Sequence, residues 1–296
     1  MKRLLPAGLL LAMIGLLALS GQAAEAVRQG LKLCATAVIP SLFPFLVLSP
    51  LFVEIGGTSL MGQRLQQLTG RVLGCSGEGA GIFFLSLLGG YPVGPRLIGQ
   101  LYRTGRLSQP EAEHLLLFCN NAGPAFILGL VGLGCFGSLR AGIALYLIHT
   151  AAAVLVSLLL RPPTPFPPAR TVNTAPQPFA HAFVHAIAGA GEAMVQICAF
   201  VTFFYTILRL FADLTGIFHP LILGFVELTQ GVTVLPSTPA GFVMAAVLLG
   251  WGGLSVHCQA AAVLAGTGLS LQKHLLGKTL QALLSALLAA LATLLS

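Results

Sequence analysis

Two strings, each of which ends an apolar run, repeat the same helix-breaking pattern. The first is GGYPVGPR at residues 89–96, and the second is GGLSVHCQ at residues 252–259. Superposing the two strings also aligns Thr104-Gly105 with Thr267-Gly268. A backbone polar group left unpaired in hydrocarbon costs several kcal/mol, so glycine and proline breaks persist where the backbone lines a cavity. Matched breaks in two halves of a chain are typical of transporters, whose substrate site lies between them.

The composition places the chain in a membrane. It is 56% hydrophobic and 8% charged, whereas about 25% of the residues in a soluble domain are charged. Several of its apolar runs are shorter than the roughly 20 residues that a spanning helix needs, which indicates half-helices or re-entrant segments. We therefore predict an all-α polytopic membrane protein in contact with the lipid bilayer. The predicted embedded segments are 4–19, 31–55, 79–88, 125–136, 143–160, 195–211, 221–235, 242–251 and 275–295.

The net charge of +7 does not indicate a nucleic-acid partner. Its basic residues are scattered near the ends of the apolar runs, where they set orientation by the positive-inside rule. No basic stripe with interleaved aromatic residues occurs, so the electrostatic footprint of nucleic-acid binding is missing. Examples of these flanking residues are Arg28, Lys32, Arg103, Arg106, Lys273 and Lys278.

A proline-dense stretch at residues 161–178 cannot form a helix and divides the chain. We predict a first membrane half at 1–160 (an N-terminal helix plus the first repeat), a linker at 161–180 and a second membrane half at 181–296. The start of the chain resembles a signal peptide, but another hydrophobic segment follows within a few residues. We therefore expect the N-terminal helix to be retained.

The sequence offers no sign of an enzyme or a cofactor site. The six cysteines form no CxxC pair and lie mostly in apolar runs, which is typical of small buried side chains rather than of a disulfide framework or a zinc site. His181 and His185 are four residues apart but have no third ligand nearby, so they are interpreted as the polar face of an interfacial helix. No nucleophile–base pairing, P-loop or HExxH string is present.

Glu227 is the first candidate site residue, because it lies within the embedded segment 221–235. A carboxylate at membrane depth is costly, about 2.5–3.5 kcal/mol at a helix centre, and is therefore a functional candidate by default. Thr229, Gln230 and Gly231 follow at once and suggest the polar tip of a re-entrant turn. The alternative is a glutamate at a segment end that reaches the lipid headgroups.

Asn120 and Asn121 follow a short predicted helix with Ser108 as its N-cap and Glu111 completing a capping box. Each amide offers donors and an acceptor, which suits a ligand with ring nitrogens, hydroxyls or carboxylates. The alternative is that one asparagine merely caps the helix before Gly123-Pro124.

The two breaks supply the remaining candidates. Ser255, His257 and Gln259 follow the second glycine pair, and a helix that begins near Val256 would present its positive N-terminal end to an anion. Tyr91 lies in the first break. Arg96 occupies the matched position after it, where it either holds a carboxylate or marks the membrane edge.

These motifs together resemble the sporulation integral membrane protein family YlbJ, of the nucleoside-recognition or Gate-domain group related to concentrative nucleoside transporters. The resemblance covers the chain from about residue 30 to the C-terminus, with Arg96 and Cys258 as small departures from the family pattern. The strings that carry it are IPSLFPF at 39–45, GYPVGPR at 90–96, NN-x-GP at 120–124, E-x-T-x-G at 227–231 and GGLSVH at 252–257.

The resemblance implies two related halves and a role in spore formation, in which a protein of this kind moves dipicolinic acid across the outer forespore membrane. It also implies a ligand held between two re-entrant hairpins by Asn120, Asn121, Glu227, Thr229, Ser255 and His257.

We therefore predict a carrier for a small polar metabolite, foremost the dipicolinate dianion. Arg96, His257 and the helix N-termini would meet its carboxylates, and Asn120, Asn121 and Ser255 its oxygens. Glu227 would either accept a hydrogen bond from the substrate or carry a coupling proton, and the second role is the consistent one because a glutamate beside a dianion is unfavourable unless protonated. A neutral nucleoside substrate and a non-transporting membrane component of a sporulation complex remain the alternatives. The protein would be integral to the cell membrane, or to the outer forespore membrane if its organism sporulates, with a homo-oligomer as one possible state.

Overall fold

A computed structural model describes residues 4–61, 72–164, 166 and 178–295. Within these residues the chain is helical and contains no strand, and five helical segments are long and apolar enough to cross a membrane. The prediction of an all-α polytopic membrane protein is confirmed. Most of the predicted linker lies outside the described residues.

The α-helices are α1 (Leu4–Ala18), α2 (Ser20–Leu33), α3 (Ile39–Glu54), α4 (Gly77–Gly89), α5 (Val93–Arg103), α6 (Gln109–Leu115), α7 (Leu139–Leu159), α8 (Phe179–Thr215), α9 (Pro220–Val226), α10 (Leu228–Thr233), α11 (Pro239–Trp251), α12 (Leu254–Val263) and α13 (Leu271–Leu295). A short π-helical segment, Cys34–Val38, joins α2 to α3, and a second π-helix, Ala125–Cys135, precedes α7.

Both predicted breaks interrupt helices in the structure. The first separates α4 from α5 at Gly90, whose φ is 80°. The second separates α11 from α12 at Gly252 and Gly253, whose φ values are 92° and 88°. Only glycine adopts such left-handed or mirror-extended backbone readily, so each glycine pair ends its helix. A third break, at the extended residue Glu227, separates α9 from α10.

The breaks lie against one another. The Tyr91 hydroxyl, in the first break, donates to the carbonyl of Leu249 at 2.6 Å, just before the second break. A methyl group added to Gly253 would lie 3.0 Å from the amide nitrogen of Leu228, beside the third break. A methyl group added to Gly90 would lie 3.1 Å from the amide nitrogen of Gly123. The interrupted helices therefore meet at one place, while the predicted pseudo-two-fold relation of the halves stays a prediction.

Two local predictions differ from the structure. Glu111 does not complete a capping box with Ser108, since its Oε1 accepts the amide of Ser76 at 2.7 Å and so supports the start of α4 instead. The segment predicted at 195–211 belongs to a much longer helix, α8, whose first half carries His185. His185 contacts Glu54 at 2.8 Å, so these two polar residues join α8 to the end of α3.

Helix α13 packs against α11 and α7. Its closest approaches are made at glycines: a methyl group on Gly250 of α11 would lie 2.6 Å from the Cα of Ala282. At Gly277 there is no room for a methyl group against the carbonyl of Leu117. These contacts bring one face of α13 up to the loop that contains Asn120 and Asn121.

Candidate functional site

One face of α13 is polar and buried. His274, Lys278, Gln281 and Ser285 recur at helical spacing, and each is fully buried. The sequence interpretation of Lys278 as a basic residue at a segment end is wrong. It lies well inside a helix that begins at Leu271, on the face that packs into the protein.

Lys278 has only neutral partners among the described residues. Its Nζ donates to the carbonyl of Asn120 at 2.9 Å and to Oε1 of Gln281 at 2.7 Å, and it lies 5.1 Å from the centre of the Tyr91 ring. No Asp or Glu oxygen in the described ranges lies within 4.0 Å of it. A buried charge is ordinarily paired with an opposite charge or neutralised, so the lack of an acidic partner makes Lys278 a candidate for binding an anion.

Asn121 anchors the loop beside Lys278. Its Nδ2 donates to the carbonyl of Phe118 at 2.8 Å and to Ser86 Oγ at 3.1 Å, and its Oδ1 accepts Nε2 of Gln281 at 3.0 Å. Asn121 does not cap α6, which ends at Leu115 with Leu116 as its C-cap. With every polar atom of its amide engaged, Asn121 holds the loop against α4 and α13.

His149 of α7 supports the same loop from the other side. Its Nε2 lies 3.1 Å from the amide nitrogen of Ala122 and must accept that hydrogen bond, because the amide can only donate. The ring is therefore neutral, with its proton on Nδ1. His149 therefore supplies no negative charge to offset an ammonium at Lys278.

Asn120 differs from its neighbour, because its side chain has no partner. The residue is 0% exposed, and neither its Nδ2 nor its Oδ1 makes a hydrogen bond in the structure. A buried amide left unpaired costs about 1–3 kcal/mol per group. An amide donor and an amide acceptor next to a buried ammonium form an arrangement suited to a polar ligand.

His257 lies in a second part of the site, at the start of α12. Its Nδ1 is 3.1 Å from Nε2 of His274, and its Nε2 is buried without a partner. The edge of its ring meets Trp251 at 4.3 Å between centroids, and Phe225 stacks on Trp251 at 4.9 Å. His274 lies one helical turn from Lys278, so α13 connects the two parts.

The other candidates of the second half are engaged with each other. Ser255 and Gln259 share a hydrogen bond of 3.3 Å. Glu227 is 2% exposed, so it does not reach lipid headgroups, and its Oε2 accepts the amide of Gln230 at 2.7 Å as the N-cap of α10. Thr229 is buried in the first turn of the same helix.

Arg96 and Lys278 contact different residues. Nη2 of Arg96 approaches Gly189 of α8, where an added methyl group would be 2.7 Å away, and Glu192 and Glu54 are acidic residues whose charges act on it. It belongs to a second polar cluster that also contains His185. This cluster joins α3, α5 and α8.

The structure thus brings Tyr91, Asn120 and Asn121 together around Lys278. His257 contacts His274, which lies one helical turn before Lys278 on α13. Sequence reasoning missed four members of this group: His149, His274, Lys278 and Gln281. A signal for three of them was present, since polar residues at 274, 278, 281 and 285 mark a single stripe on an otherwise apolar helix.

Comparison with known proteins agrees with the motifs. The chain is similar to the sporulation integral membrane protein YlbJ of Bacillus subtilis (strain 168), with 25% identity over 307 aligned positions that cover 88% of this chain and 75% of that protein. No family model matches the chain, and no solved structure matches it. The chain is a homologue of this sporulation protein, which confirms its resemblance to the YlbJ family.

Proposed function

We propose that this protein is a membrane carrier for a small carboxylate anion, with dipicolinate as the favoured substrate. The observation that carries the proposal is Lys278, a fully buried amine with no acidic partner among the described residues. The free amide of Asn120 lies beside it. Together they supply a positive charge, a donor and an acceptor where the helix breaks meet.

The chemistry of dipicolinate complements these groups. The molecule carries two carboxylates on either side of a ring nitrogen, in one plane. In the proposed complex Lys278 binds one carboxylate through a charge-assisted hydrogen bond. The Asn120 amide donates to the second carboxylate or to the ring nitrogen, and the Tyr91 ring lies beside them, 5.1 Å from Nζ of Lys278. His257 Nε2 has no partner in the structure and, when it carries the ring proton, can donate to a carboxylate.

The helix breaks supply the means of movement. Transporters with discontinuous helices bind substrate at the breaks and expose the site alternately by rocking one part of the fold against the other. Gly90, Gly252 and Gly253 absorb the sharp changes of backbone direction at this site. They are the positions about which α4, α5, α11 and α12 would reorient.

The same observations rank the alternatives. A neutral nucleoside would satisfy the Asn120 amide but would bring no counter-charge for an ammonium at Lys278. A non-transporting component of a sporulation complex would need neither a buried amine nor a free amide at the meeting of three broken helices. In an organism that sporulates, the proposed location is the outer forespore membrane.

A thermal-stability screen of the purified protein in detergent tests the proposal. A ligand that binds only the folded state stabilises it by mass action, by about 2.7 kcal/mol at 100 times its dissociation constant. The probes are dipicolinate, isophthalate (the same dicarboxylate without the ring nitrogen) and uridine. We expect dipicolinate to raise the melting temperature most and uridine to leave it unchanged. Stabilisation by uridine alone would favour the nucleoside carrier, and no response to any carboxylate would contradict the proposal.

A further inference from the structure

We propose that Lys278 carries a proton together with the anion, so that the protein is a proton–anion symporter with its coupling group on α13. This inference rests on the proposed function and names the coupling group of the same site. It differs from the prediction made from the sequence, which gave the coupling proton to Glu227.

The surroundings of Lys278 disfavour a permanent charge. The titratable groups that face it are His149 of α7, His257 of α12, His274 of its own helix and Tyr91 of the first break. A histidine is neutral or cationic, and the Tyr91 hydroxyl is engaged as a neutral donor to the carbonyl of Leu249, so none of the four supplies a negative charge. Helix α11 contributes no titratable side chain. A buried amine without an anion nearby is disfavoured in its charged form.

The acids on the remaining neighbour, α6, are engaged elsewhere. Glu111 accepts the amide of Ser76 at 2.7 Å, and Glu113 accepts Nε2 of Gln109 at 3.2 Å near the protein surface. From the loop after α6, Lys278 receives only the carbonyl of Asn120. The counter-charge must therefore come from the substrate.

The hydrogen bonds of Lys278 fit an amine that alternates between two states. A neutral amine has two N–H donors, and the structure provides two acceptors, the Asn120 carbonyl and Oε1 of Gln281. An arriving carboxylate favours the ammonium, whose third N–H then points to the anion. One proton leaves water on the entry side, is bound by Nζ during the crossing, and returns to water on the exit side when the anion departs. No other bond forms or breaks.

Two imidazoles in contact with each other lie near this amine. Nδ1 of His257 lies 3.1 Å from Nε2 of His274, and His274 precedes Lys278 by one helical turn on the same face of α13. At the far end, His257 packs against Trp251, which stacks on Phe225, a side chain that is 50% exposed. Histidine relays protons because each ring nitrogen can donate or accept.

Glu227 has a different task in this arrangement. Its carboxylate accepts the amide of Gln230 and thereby starts α10. An uncharged glutamine oxygen can accept the same bond. Glu227→Gln therefore distinguishes the two roles, because it preserves the helix cap and removes the group that could carry a proton.

The experiment measures dipicolinate uptake and internal pH in proteoliposomes, with the membrane potential clamped. Between about pH 7 and about pH 8 both carboxylates are ionised, and one-proton coupling predicts that each unit of gradient, acidic outside, raises the accumulation ratio about tenfold. Wild-type protein should accumulate dipicolinate and acidify the lumen. Lys278→Arg, whose guanidinium keeps its charge, should lose this pH dependence but retain exchange of labelled for unlabelled dipicolinate. Glu227→Gln should behave as wild type.

The outcomes separate the inference from the proposed function. If wild-type protein exchanges dipicolinate but moves no proton, the inference fails and the carrier function stands. If Lys278→Arg keeps the tenfold dependence while Glu227→Gln loses it, the proton belongs to Glu227. If wild-type protein neither binds nor exchanges a carboxylate, the proposed function itself fails. The wild-type proton measurement decides the first case even where the arginine does not fit the buried site.

Discussion

Replacing Lys278 with glutamine should separate substrate affinity from protein stability. The change removes one buried charge but keeps an N–H group that can reach the Asn120 carbonyl, now 2.9 Å from Nζ. A hydrogen bond to a charged group is worth about 1.5–3 kcal/mol. We therefore expect the dissociation constant for dipicolinate to rise about 10- to 150-fold.

The same substitution should leave the stability of the protein unchanged or raise it. Lys278 has no acidic partner among the described residues, so Lys278→Gln breaks no ion pair and removes a buried amine that is costly to keep charged. The hydrogen bond to Oε1 of Gln281, 2.7 Å in the wild-type protein, is the part that the shorter side chain can lose. The melting temperature of Lys278→Gln should accordingly equal or exceed that of the wild type.

The assay is a calorimetric titration with dipicolinate, paired with a melting curve of the same preparation. Lys273→Gln is the matched control, because Lys273 lies on the same helix but is exposed. It should bind dipicolinate like the wild type. An affinity of Lys278→Gln within about twofold of the wild type, in a variant that melts cooperatively, would refute the assignment of Lys278 to the substrate site.

Three further predictions concern the framework. Gly277→Ala forces a methyl group onto a backbone carbonyl and should destabilise the protein by about 1–3 kcal/mol or more, whereas Gly191→Ala, which meets open space on α8, should be neutral or stabilising in the same melting assay. Glu227→Leu removes the N-cap acceptor and should cost about 0.5–2 kcal/mol of stability, while Glu227→Gln should cost little; equal losses would contradict the capping role. Burial holds the pKa of His114 below its ordinary value, so its contribution to stability is full above the unfolded-state pKa of about 6.5 and declines as the pH falls below it. The melting temperature should therefore decrease more steeply with falling pH in the wild type than in His114→Phe.

The breaks could be predicted from the sequence because glycine pairs have a local backbone consequence. Gly252 and Gly253 end α11 in the structure as their pairing indicated. Glu227 could be predicted to be buried, but its capping bond to Gln230 depends on where α10 begins, which hydropathy does not determine. A local sequence pattern therefore predicts local backbone geometry but not the contacts that depend on where a neighbouring helix begins.

Lys278 could not be placed by the same reasoning. A basic residue near the start of an apolar run has the same pattern whether it faces headgroups or the protein interior, and the difference depends on which side of α13 meets α7 and α11. Arg96 was placed with His257 because the two strings align, yet a side chain's direction depends on its helix neighbours, which for Arg96 include Gly189 of α8. Both cases are decided by packing between distant segments.

A counterflow measurement tests the central claim most directly. Proteoliposomes loaded with unlabelled dipicolinate are diluted into a trace of labelled dipicolinate, and the transient uptake of label is followed with no pH gradient and no membrane potential. A carrier for carboxylate anions predicts a transient overshoot of label inside the vesicles. Unlabelled isophthalate outside should reduce this overshoot, uridine should not, and Lys278→Gln should abolish it at low substrate concentration. The absence of any overshoot with folded wild-type protein, or an overshoot with labelled uridine alone, would contradict the claim.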